Sequence, residues 1–396
     1  MATSELEFNP YDPAFSADPY PTYHRLRAED PVHRTPMGFW ILTRYDDVAT
    51  VLRDARFGRK GFDELIRGTF GESSFEQAML FRDPPDHTRL RALVSKAFTP
   101  RVIEEMRAKI QKTVDALLDR VHDARAMDVI ADFAYPLPVS VISEMLGVPA
   151  EDRDRFRGWS ADIARSLDAI AMPTDPGVLE RGNAARHSLS SYFLALIAER
   201  RRRPQRDLLS DLIAAEEQGD KLNEEELMAT IMLLFVAGHE TTVNLIGNGT
   251  LALLRNPDQL RALRRSPGLI ASAVEELLRY DAPVQRTGRM PNTDVELGGK
   301  RIAKGDLVLS LIGAANRDPA HFPEPDRLDI ARADNRHLSF GWGIHFCLGA
   351  PLARAEAQAA IGTIASRLPE LALATPTPEW REASALRGLK TLPVTF

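Results

Sequence analysis

Apolar residues recur at three- and four-residue intervals along most of this 396-residue chain, and this spacing predicts a largely helical fold. Strand signals are confined to two regions. Residues 32–34 and 40–43 flank a Pro36-Met37-Gly38 turn and predict a hairpin, whereas residues 295–297, 301–303 and 307–311 predict a second small sheet. No repeat or flexible linker interrupts the pattern, so we predict one domain over residues 1–396, mainly α with small β-sheets. The helical pattern is clearest in residues 103–118, 141–145, 189–198, 208–215 and 260–263.

The charge of the chain argues against a nucleic-acid-binding protein. The net charge is −6, although Arg200 to Arg203 and Arg206 form one local basic run. A nucleic-acid patch is one interpretation of that run. The better one is a helix end, because cations suit the negative end of a helix and Pro204 stops it.

A secretory signal has a basic segment followed by an apolar one, and the N-terminus shows no such pattern. The longest apolar stretch, residues 227–238, is shorter than the span of about 20 residues that a bilayer requires. We therefore expect a cytoplasmic protein that does not insert into membranes. Its single cysteine allows no intrachain disulfide, so the fold must rest on its core.

That cysteine, Cys347, lies in the sequence FGWGIHFCLGA with glycines at 341, 343 and 349, which indicate a tightly turned backbone. Helix-favouring residues follow it, so Cys347 is expected at a helix N-terminus, where a thiolate is stabilised and can bind a soft metal. A lone cysteine is more often a small buried apolar residue, but such a residue needs no surrounding glycines. A nucleophile paired with His345 is conceivable, whereas zinc would need ligands that no second cysteine supplies.

A long helix is predicted from about Glu224 to Leu254, with Asn223 and Glu226 as its capping box. Its middle reads AGHETT, from Ala237 to Thr242. A glycine inside a helix costs about 1 kcal/mol relative to alanine, so Gly238 requires a reason. Ala237 and Gly238 together would leave room for a group against the helix, although a buried helix can also tolerate one glycine.

The cysteine loop closely resembles the heme-binding loop of the cytochrome P450 monooxygenases, and AGHETT resembles their oxygen-binding segment. The resemblance, which covers nearly the whole chain, implies the cytochrome P450 fold. Heme b (iron protoporphyrin IX) would be buried between the long helix and the cysteine loop with its helix. Cys347 would be the axial iron ligand and Phe340 would pack on the sulfur side. Ala237, Gly238 and Gly349 would lie against the heme.

The resemblance also implies that Thr241 hydrogen-bonds the activated dioxygen and that Glu240 links it to solvent protons. His239 is treated as non-catalytic, since the family accepts several residue types there. The heme propionates would be held by His87, Arg91, Arg289 and His345. For His87 and Arg91, four residues apart, the alternative is a surface helix pair.

Glu276 and Arg279 are spaced as an ordinary surface pair on a helix. The resemblance instead places them with Arg327 in a buried charge network that braces the cysteine loop. It also suggests that residues 57–79 and 160–179 cover the substrate and carry the specificity.

The resemblance implies a bacterial soluble monooxygenase that inserts one oxygen atom from dioxygen into an apolar organic substrate. Hydroxylation or epoxidation of a secondary metabolite, steroid, terpene or fatty-acid-like molecule would fit. Electrons would come from a ferredoxin and its NAD(P)H-dependent reductase, docked near Cys347 where Arg354 could steer an acidic partner, and the enzyme would be a monomer. The alternative is a heme-thiolate protein that binds a ligand or uses peroxide, without dioxygen-dependent turnover.

Overall fold

The computed structural model describes residues 8–71, 74–217 and 222–396. The α-helices of these residues are α1 (Pro13–Ala17), α2 (Tyr20–Glu29), α3 (Tyr45–Arg53), α4 (Phe62–Phe70), α5 (Asp86–Ser95), α6 (Pro100–Val121), α7 (Pro136–Met145), α8 (Phe156–Ser166), α9 (Pro176–Arg202), α10 (Leu208–Glu217), α11 (Glu224–Arg255), α12 (Pro257–Arg265), α13 (Ile270–Tyr280), α14 (Ile312–Ala315) and α15 (Ala350–Arg367). The β-strands are β1 (Val32–Arg34), β2 (Trp40–Leu42), β3 (Phe57–Gly58), β4 (Ala126–Asp128), β5 (Arg286–Pro291), β6 (Val295–Leu297), β7 (Lys300–Ile302), β8 (Val308–Leu311), β9 (Ala372–Leu373) and β10 (Pro393–Thr395).

The five segments with the clearest helical spacing all lie within helices, namely α6, α7, α9, α10 and α12. The predicted start of α11 is also confirmed. The backbone N–H of Glu226 donates to Asn223 Oδ1 at 2.8 Å, and the N–H of Asn223 donates to Glu226 Oε2 at 3.0 Å. This reciprocal pair satisfies two donors that a helix start would otherwise leave open.

The chain forms two compact units. The first comprises the residues up to Gly58, Gly247–Cys347 and Ile364–Phe396, and the second comprises Arg59–Ile246 and Leu348–Thr363.

A five-stranded sheet in the first unit has the order β1-β2-β8-β5-β3. Strands β1 and β2 form the predicted antiparallel hairpin, with Val32 opposite Leu42. The prediction that residues 307–311 belong to the second sheet was wrong. Strands β6 and β7 pair only with each other, whereas β8 lies parallel to β2 and antiparallel to β5. All four residues of β8 are buried, as a strand with partners on both sides requires.

The core of the first unit packs helix α3 and the residues around α14 against this sheet. Its buried members include Val48, Val308, Ile312, Phe322 and Leu338. Leu338 lies at the start of the cysteine loop, so the loop begins from a fully buried position.

In the second unit, aromatic residues join α8, α9 and α11. The ring of Phe235 lies 4.7 Å from that of Phe156 and 5.6 Å from that of Phe193, between centroids. Edge-to-face pairs at such distances add to the free energy of apolar burial.

Helix α9 ends as predicted at the arginine run. The N–H of Arg203 donates to the carbonyl of Glu199 at 2.9 Å, and Pro204 follows. Arg200 is buried and its Nε lies 2.9 Å from Asp207 Oδ2. The run therefore closes a helix, and one of its guanidinium groups is buried rather than exposed on a basic surface.

Helix α11 is, among the described residues, the one helix long and apolar enough to cross a membrane. However, 83% of its most apolar window is buried inside the protein. Core helices of globular proteins have the same composition.

Candidate active site

The cysteine loop is held by backbone hydrogen bonds across its turns. The N–H of Gly341 donates to the carbonyl of Leu338 at 2.8 Å, and the N–H of Cys347 donates to the carbonyl of Phe340 at 2.8 Å. Gly343 has φ of +71°, and a Cβ there would lie 2.6 Å from the carbonyl oxygen of Leu52 in α3. This position therefore admits only glycine without a shift of the backbone.

Cys347 itself is exposed at the end of this loop. This exposure agrees with setting aside the alternative of a small buried apolar cysteine. Within the described residues, no group of His, Cys, Asp and Glu side chains could hold a metal ion by itself. A single thiolate donor fits a metal whose other ligands are supplied by a macrocycle.

The other residues predicted around the sulfur lie in the same loop. Phe340 is half-buried, and its ring centroid is 6.3 Å from that of Phe346. His345 is half-buried at the end of a short 3₁₀ turn that begins at Gly343. At Gly349 a Cβ would meet no atom within 4 Å, so open space lies over this glycine.

The middle of α11 has a single exposed turn. Between Glu226 and Leu253, every residue of this helix is buried except Ala237, Gly238 and Thr241. These three positions share one helix face and carry small side chains. A flat group could lie against the helix there.

The packing of α7 explains the mid-helix glycine. A Cβ at Gly238 would lie 3.0 Å from Cδ1 of Ile142, so the glycine lets α7 approach α11 closely. The accessible surface of this turn lies at Ala237, which is exposed, and at Gly238 and Thr241, which are half-buried. The Thr241 hydroxyl donates to the Ala237 carbonyl at 3.1 Å, as its position one turn later predicts.

Glu240 lies beside this turn with its side chain only 2% exposed. His239 is fully buried; its Nδ1 lies 2.6 Å from the carbonyl oxygen of Phe235, and its Nε2 lies 3.7 Å from Glu240 Oε1. Because a carbonyl only accepts hydrogen bonds, Nδ1 must carry a proton.

The four predicted propionate ligands occupy both units. His87 is buried and Arg91 half-buried, one turn apart on α5 in the second unit. Arg289 is buried on β5 in the first unit, where its guanidinium donates to the carbonyl of Gly288 at 2.9 Å. His345 also belongs to the first unit.

Glu276 and Arg279 form a fully buried pair on α13, as predicted. Arg279 Nε lies 2.7 Å from Glu276 Oε2, and its Nη2 lies 2.9 Å from Oε1. Glu276 also accepts hydrogen bonds from Arg332 Nε at 3.1 Å, Asn335 Nδ2 at 3.2 Å and the N–H of Asp329 at 2.9 Å. The carboxylate is thus paired with two cations, as a buried charge requires.

The prediction that the Arg327 side chain is the third member of this network was wrong. Its side chain is 60% exposed and pairs with Glu324 at 2.9 Å, and its contribution to the network is a backbone carbonyl that accepts from Arg279 at 3.2 Å. Arg332, five residues later, supplies the second guanidinium with a side chain only 10% exposed. The chain turns between the two arginines and brings the later one back to α13.

The pair braces the cysteine loop through hydrogen bonds in the first unit. Arg279 Nη1 donates to the carbonyl of Asn316 at 2.9 Å. The amide of Asn316 accepts from the N–H of Leu338 at 2.7 Å and donates to Ser339 Oγ at 2.8 Å. Leu338 in turn accepts from Gly341, so the contacts extend from α13 into the loop.

Comparison with known proteins gives consistent matches over nearly the whole chain. Residues 32–266 and 268–369 match the cytochrome P450 family model. The chain is 46% identical to the cytochrome P450 monooxygenase PikC of Streptomyces venezuelae over 391 residues, which is 96% of this chain and 91% of that protein. It is 44% identical to the vitamin D(3) 25-hydroxylase of Pseudonocardia autotrophica over 391 residues, or 96% and 94% of the two chains.

Solved structures agree with these matches. The crystal structure of the myxobacterial cytochrome P450 CYP267B1 in complex with myristic acid matches with a TM-score of 0.91 at 46% identity, covering 98% of each chain. The protein therefore binds heme b and is a heme-thiolate monooxygenase that takes electrons from a redox partner and acts on an organic substrate. By sequence and by fold, the chain belongs to the cytochrome P450 family.

Proposed function

We propose that Cys347 is the axial thiolate ligand of the heme in this monooxygenase, and that Glu240 and Thr241 deliver the protons of turnover. The observation that carries the proposal is the exposure of the chain's only cysteine at the end of a glycine loop that is hydrogen-bonded on both sides. A thiolate so placed is available to a metal, and the positive end of the helix that begins three residues later stabilises its charge.

The remaining ligands of the cofactor come from the same set of residues. His87, Arg91, Arg289 and His345 would hold the two propionates, since arginine binds a carboxylate through two parallel hydrogen bonds. Phe340 and Gly349 would lie near the sulfur side, and Ala237 and Gly238 near the opposite face. Heme supplies the redox chemistry by which dioxygen and two electrons give one oxygen atom to the substrate and one to water.

Two protons are consumed in that balance, and Glu240 with Thr241 can supply them. The Thr241 hydroxyl is both a donor and an acceptor, so it can pass a proton at the exposed turn of α11. Glu240 is next to it in the chain with its side chain only 2% exposed, and would link the hydroxyl to protons from solvent. A group placed in this way acts as a general acid.

We propose an apolar substrate, with electrons from a ferredoxin and its NAD(P)H-dependent reductase docked near Cys347. The myristic acid of the CYP267B1 complex supports an apolar substrate, because that protein shares 46% identity with this chain. We further propose that residues 1–396 act as a single domain, and that the protein is a cytoplasmic monomer without a nucleic-acid partner.

The test uses purified holoenzyme with a surrogate ferredoxin and reductase, and compares Thr241→Ala with Thr242→Ala as the matched control. Substrates are found by screening for the spectral shift that follows loss of water from the iron. We expect Thr241→Ala to bind heme and consume NAD(P)H but release peroxide, while Thr242→Ala forms product. Tightly coupled turnover in Thr241→Ala would contradict the role of the hydroxyl. Absence of substrate-dependent NAD(P)H consumption across the panel would favour a ligand-binding protein, and product formed with peroxide alone would favour a peroxide-using enzyme.

A further inference from the structure

A histidine just before the cysteine loop connects this part of the chain to helix α13. The side chain of His337 is only 3% exposed, and its Nε2 lies 3.1 Å from Oε2 of Glu275 on α13. Its Nδ1 accepts a hydrogen bond from the backbone N–H of Ser339 at 3.2 Å. One nitrogen of the imidazole is therefore bonded to the helix and the other to the loop.

These two contacts determine where the imidazole carries its proton. Because a backbone N–H only donates hydrogen bonds, Nδ1 must be without a proton to accept from Ser339. The proton of the neutral ring then lies on Nε2, where it is donated to the carboxylate of Glu275. A second proton would have to go to Nδ1, and two donors would then face each other at Ser339.

The contact with His337 completes the support of a backbone segment that Asn316 also holds. Asn316 bonds to the N–H of Leu338 and to the hydroxyl of Ser339, and that hydroxyl donates to the carbonyl of Leu278 at 2.7 Å. His337 accepts the remaining polar hydrogen of this segment, the N–H of Ser339. Two consecutive backbone N–H groups are thus each bonded to a side chain, which fixes the direction in which the chain enters the loop.

The same imidazole lies beside a residue that contacts the backbone of the cysteine. Its ring centroid is 5.9 Å from that of Phe340, with the rings tilted by 48°. The carbonyl of Phe340 accepts the N–H of Cys347 at 2.8 Å. Because His337, Phe340 and Cys347 all belong to the first unit, a shift of the chain at Ser339 would change the position of the sulfur.

We propose that His337 is a positioning residue for Cys347. Anchored by Glu275, its neutral imidazole holds the Ser339 N–H and keeps the loop in the conformation that presents the thiolate to the heme. This inference rests on the proposed function, because it concerns the ligand of that cofactor. It also makes the loop sensitive to acid, since the bond to Ser339 is lost when Nδ1 gains a proton. Histidine ordinarily changes its charge between about pH 5 and pH 8.

The charged groups near the imidazole come from α13 and from the loop itself. Glu275 faces Nε2 from α13 and favours a proton on that nitrogen. Arg336, the residue before His337, is exposed and pairs with Asp334, with Nε 3.0 Å from Oδ1. Asn316, which follows α14, is neutral. Among these groups, protonation of Nδ1 is the change that breaks a contact of the loop.

The test measures how fast the reduced CO complex of the holoenzyme loses its red-shifted Soret band at about pH 8 and about pH 5.5. Two variants separate the two contacts of the ring. His337→Asn places an amide oxygen near the position of Nδ1, where it can accept from Ser339 and does not gain a proton. His337→Gln places an amide N–H near the position of Nε2, so it can donate to Glu275 but does not replace the acceptor of Ser339.

At about pH 8, His337→Gln is expected to lose the band about 2- to 10-fold faster than the wild type, the factor that corresponds to one neutral hydrogen bond. His337→Asn should keep the band as long as the wild type. At about pH 5.5 the wild type should lose it faster than His337→Asn, because acid removes the bond only from the imidazole. The control is His33→Asn, since His33 is also a buried histidine paired with a carboxylate, Asp30 at 3.1 Å, and it lies on β1. It should follow the wild type at both pH values.

Amide hydrogen exchange gives a second reading that does not depend on the heme spectrum. Residues 339–347 should exchange faster in His337→Gln than in the wild type, and at the wild-type rate in His337→Asn at about pH 8. A merely structural role of the side chain would not be rescued by the asparagine, which is smaller than the imidazole and makes no contact with Glu275.

The proposal is overturned if His337→Gln keeps the band and the slow exchange of the wild type, or if His337→Asn loses both. It is equally overturned if His337→Asn shows the acid response of the wild type, or if His33→Asn loses the band as fast as His337→Gln. Failure of the proposed function would be seen separately, as a wild-type CO complex with no red-shifted band at either pH. In that case the exchange of residues 339–347 still decides whether His337 positions the loop.

Discussion

Removal of the Arg279 guanidinium should destabilise the protein more than removal of any surface arginine. Arg279→Met would leave Glu276 fully buried with one cation instead of two, and would remove donors from three backbone carbonyls. Breaking a buried pair by removing one partner costs about 3–5 kcal/mol. Since a whole domain is stable by only about 5–15 kcal/mol, the variant is expected to lose a large share of its free energy of unfolding.

The two other arginines give a graded comparison. Arg332→Gln removes the second cation beside Glu276 and should cost less, about 1–3 kcal/mol, because Arg279 remains. Arg327→Gln removes an exposed pair with Glu324 and should change the free energy of unfolding by less than about 1 kcal/mol. Urea unfolding followed by circular dichroism measures all three. The reasoning would be refuted if Arg327→Gln cost as much as Arg332→Gln, or if Arg279→Met unfolded at the wild-type midpoint.

Two further outcomes are expected. Gly343→Ala should destabilise the apoprotein by about 1–3 kcal/mol, since its Cβ would meet the Leu52 carbonyl and its φ is positive. Gly349→Ala should leave the stability of the apoprotein unchanged and lower its heme occupancy. Calorimetry measures the stability and the heme-to-protein ratio measures the occupancy, and the reverse pattern would contradict the loop geometry. Burial raises the pKa of Glu356 well above 4.5, so the folded protein keeps a proton that the unfolded chain has lost, and stability should fall as the pH rises above about 4.5. Between about pH 5 and pH 8, the melting temperature should therefore fall less for Glu356→Gln than for the wild type. Parallel curves of melting temperature against pH for the two proteins would refute this.

The sequence predicted the elements that local patterns determine. The capping box at Asn223 and Glu226, the β1–β2 hairpin and the end of α9 at Arg203 all depend on residues a few positions apart, and all three are confirmed. Helix α4 was missed within residues 57–79, because its buried residues Phe62, Ile66 and Phe70 lie among glycines that weaken the helical pattern.

The sequence could not predict the features that depend on tertiary contacts. Strand β8 pairs with strands of the first sheet and not with β6 or β7, and this pairing depends on partners far along the chain. Which of Arg327 and Arg332 pairs with Glu276 depends on a turn that no motif indicates. Both arginines lie among charged residues in the sequence, so the sequence does not distinguish them. The close packing of Ile142 in α7 on Gly238 is a further reason for this glycine that the sequence could not show.

The central claim, that Cys347 supplies the thiolate for the heme, is tested most directly by the spectrum of the reduced CO complex. The wild-type protein is expected to show the strongly red-shifted Soret band of thiolate ligation, and Cys347→Ala is expected to lose it while remaining folded. A wild-type protein without that band, or a Cys347→Ala variant that retains it, would contradict the assignment.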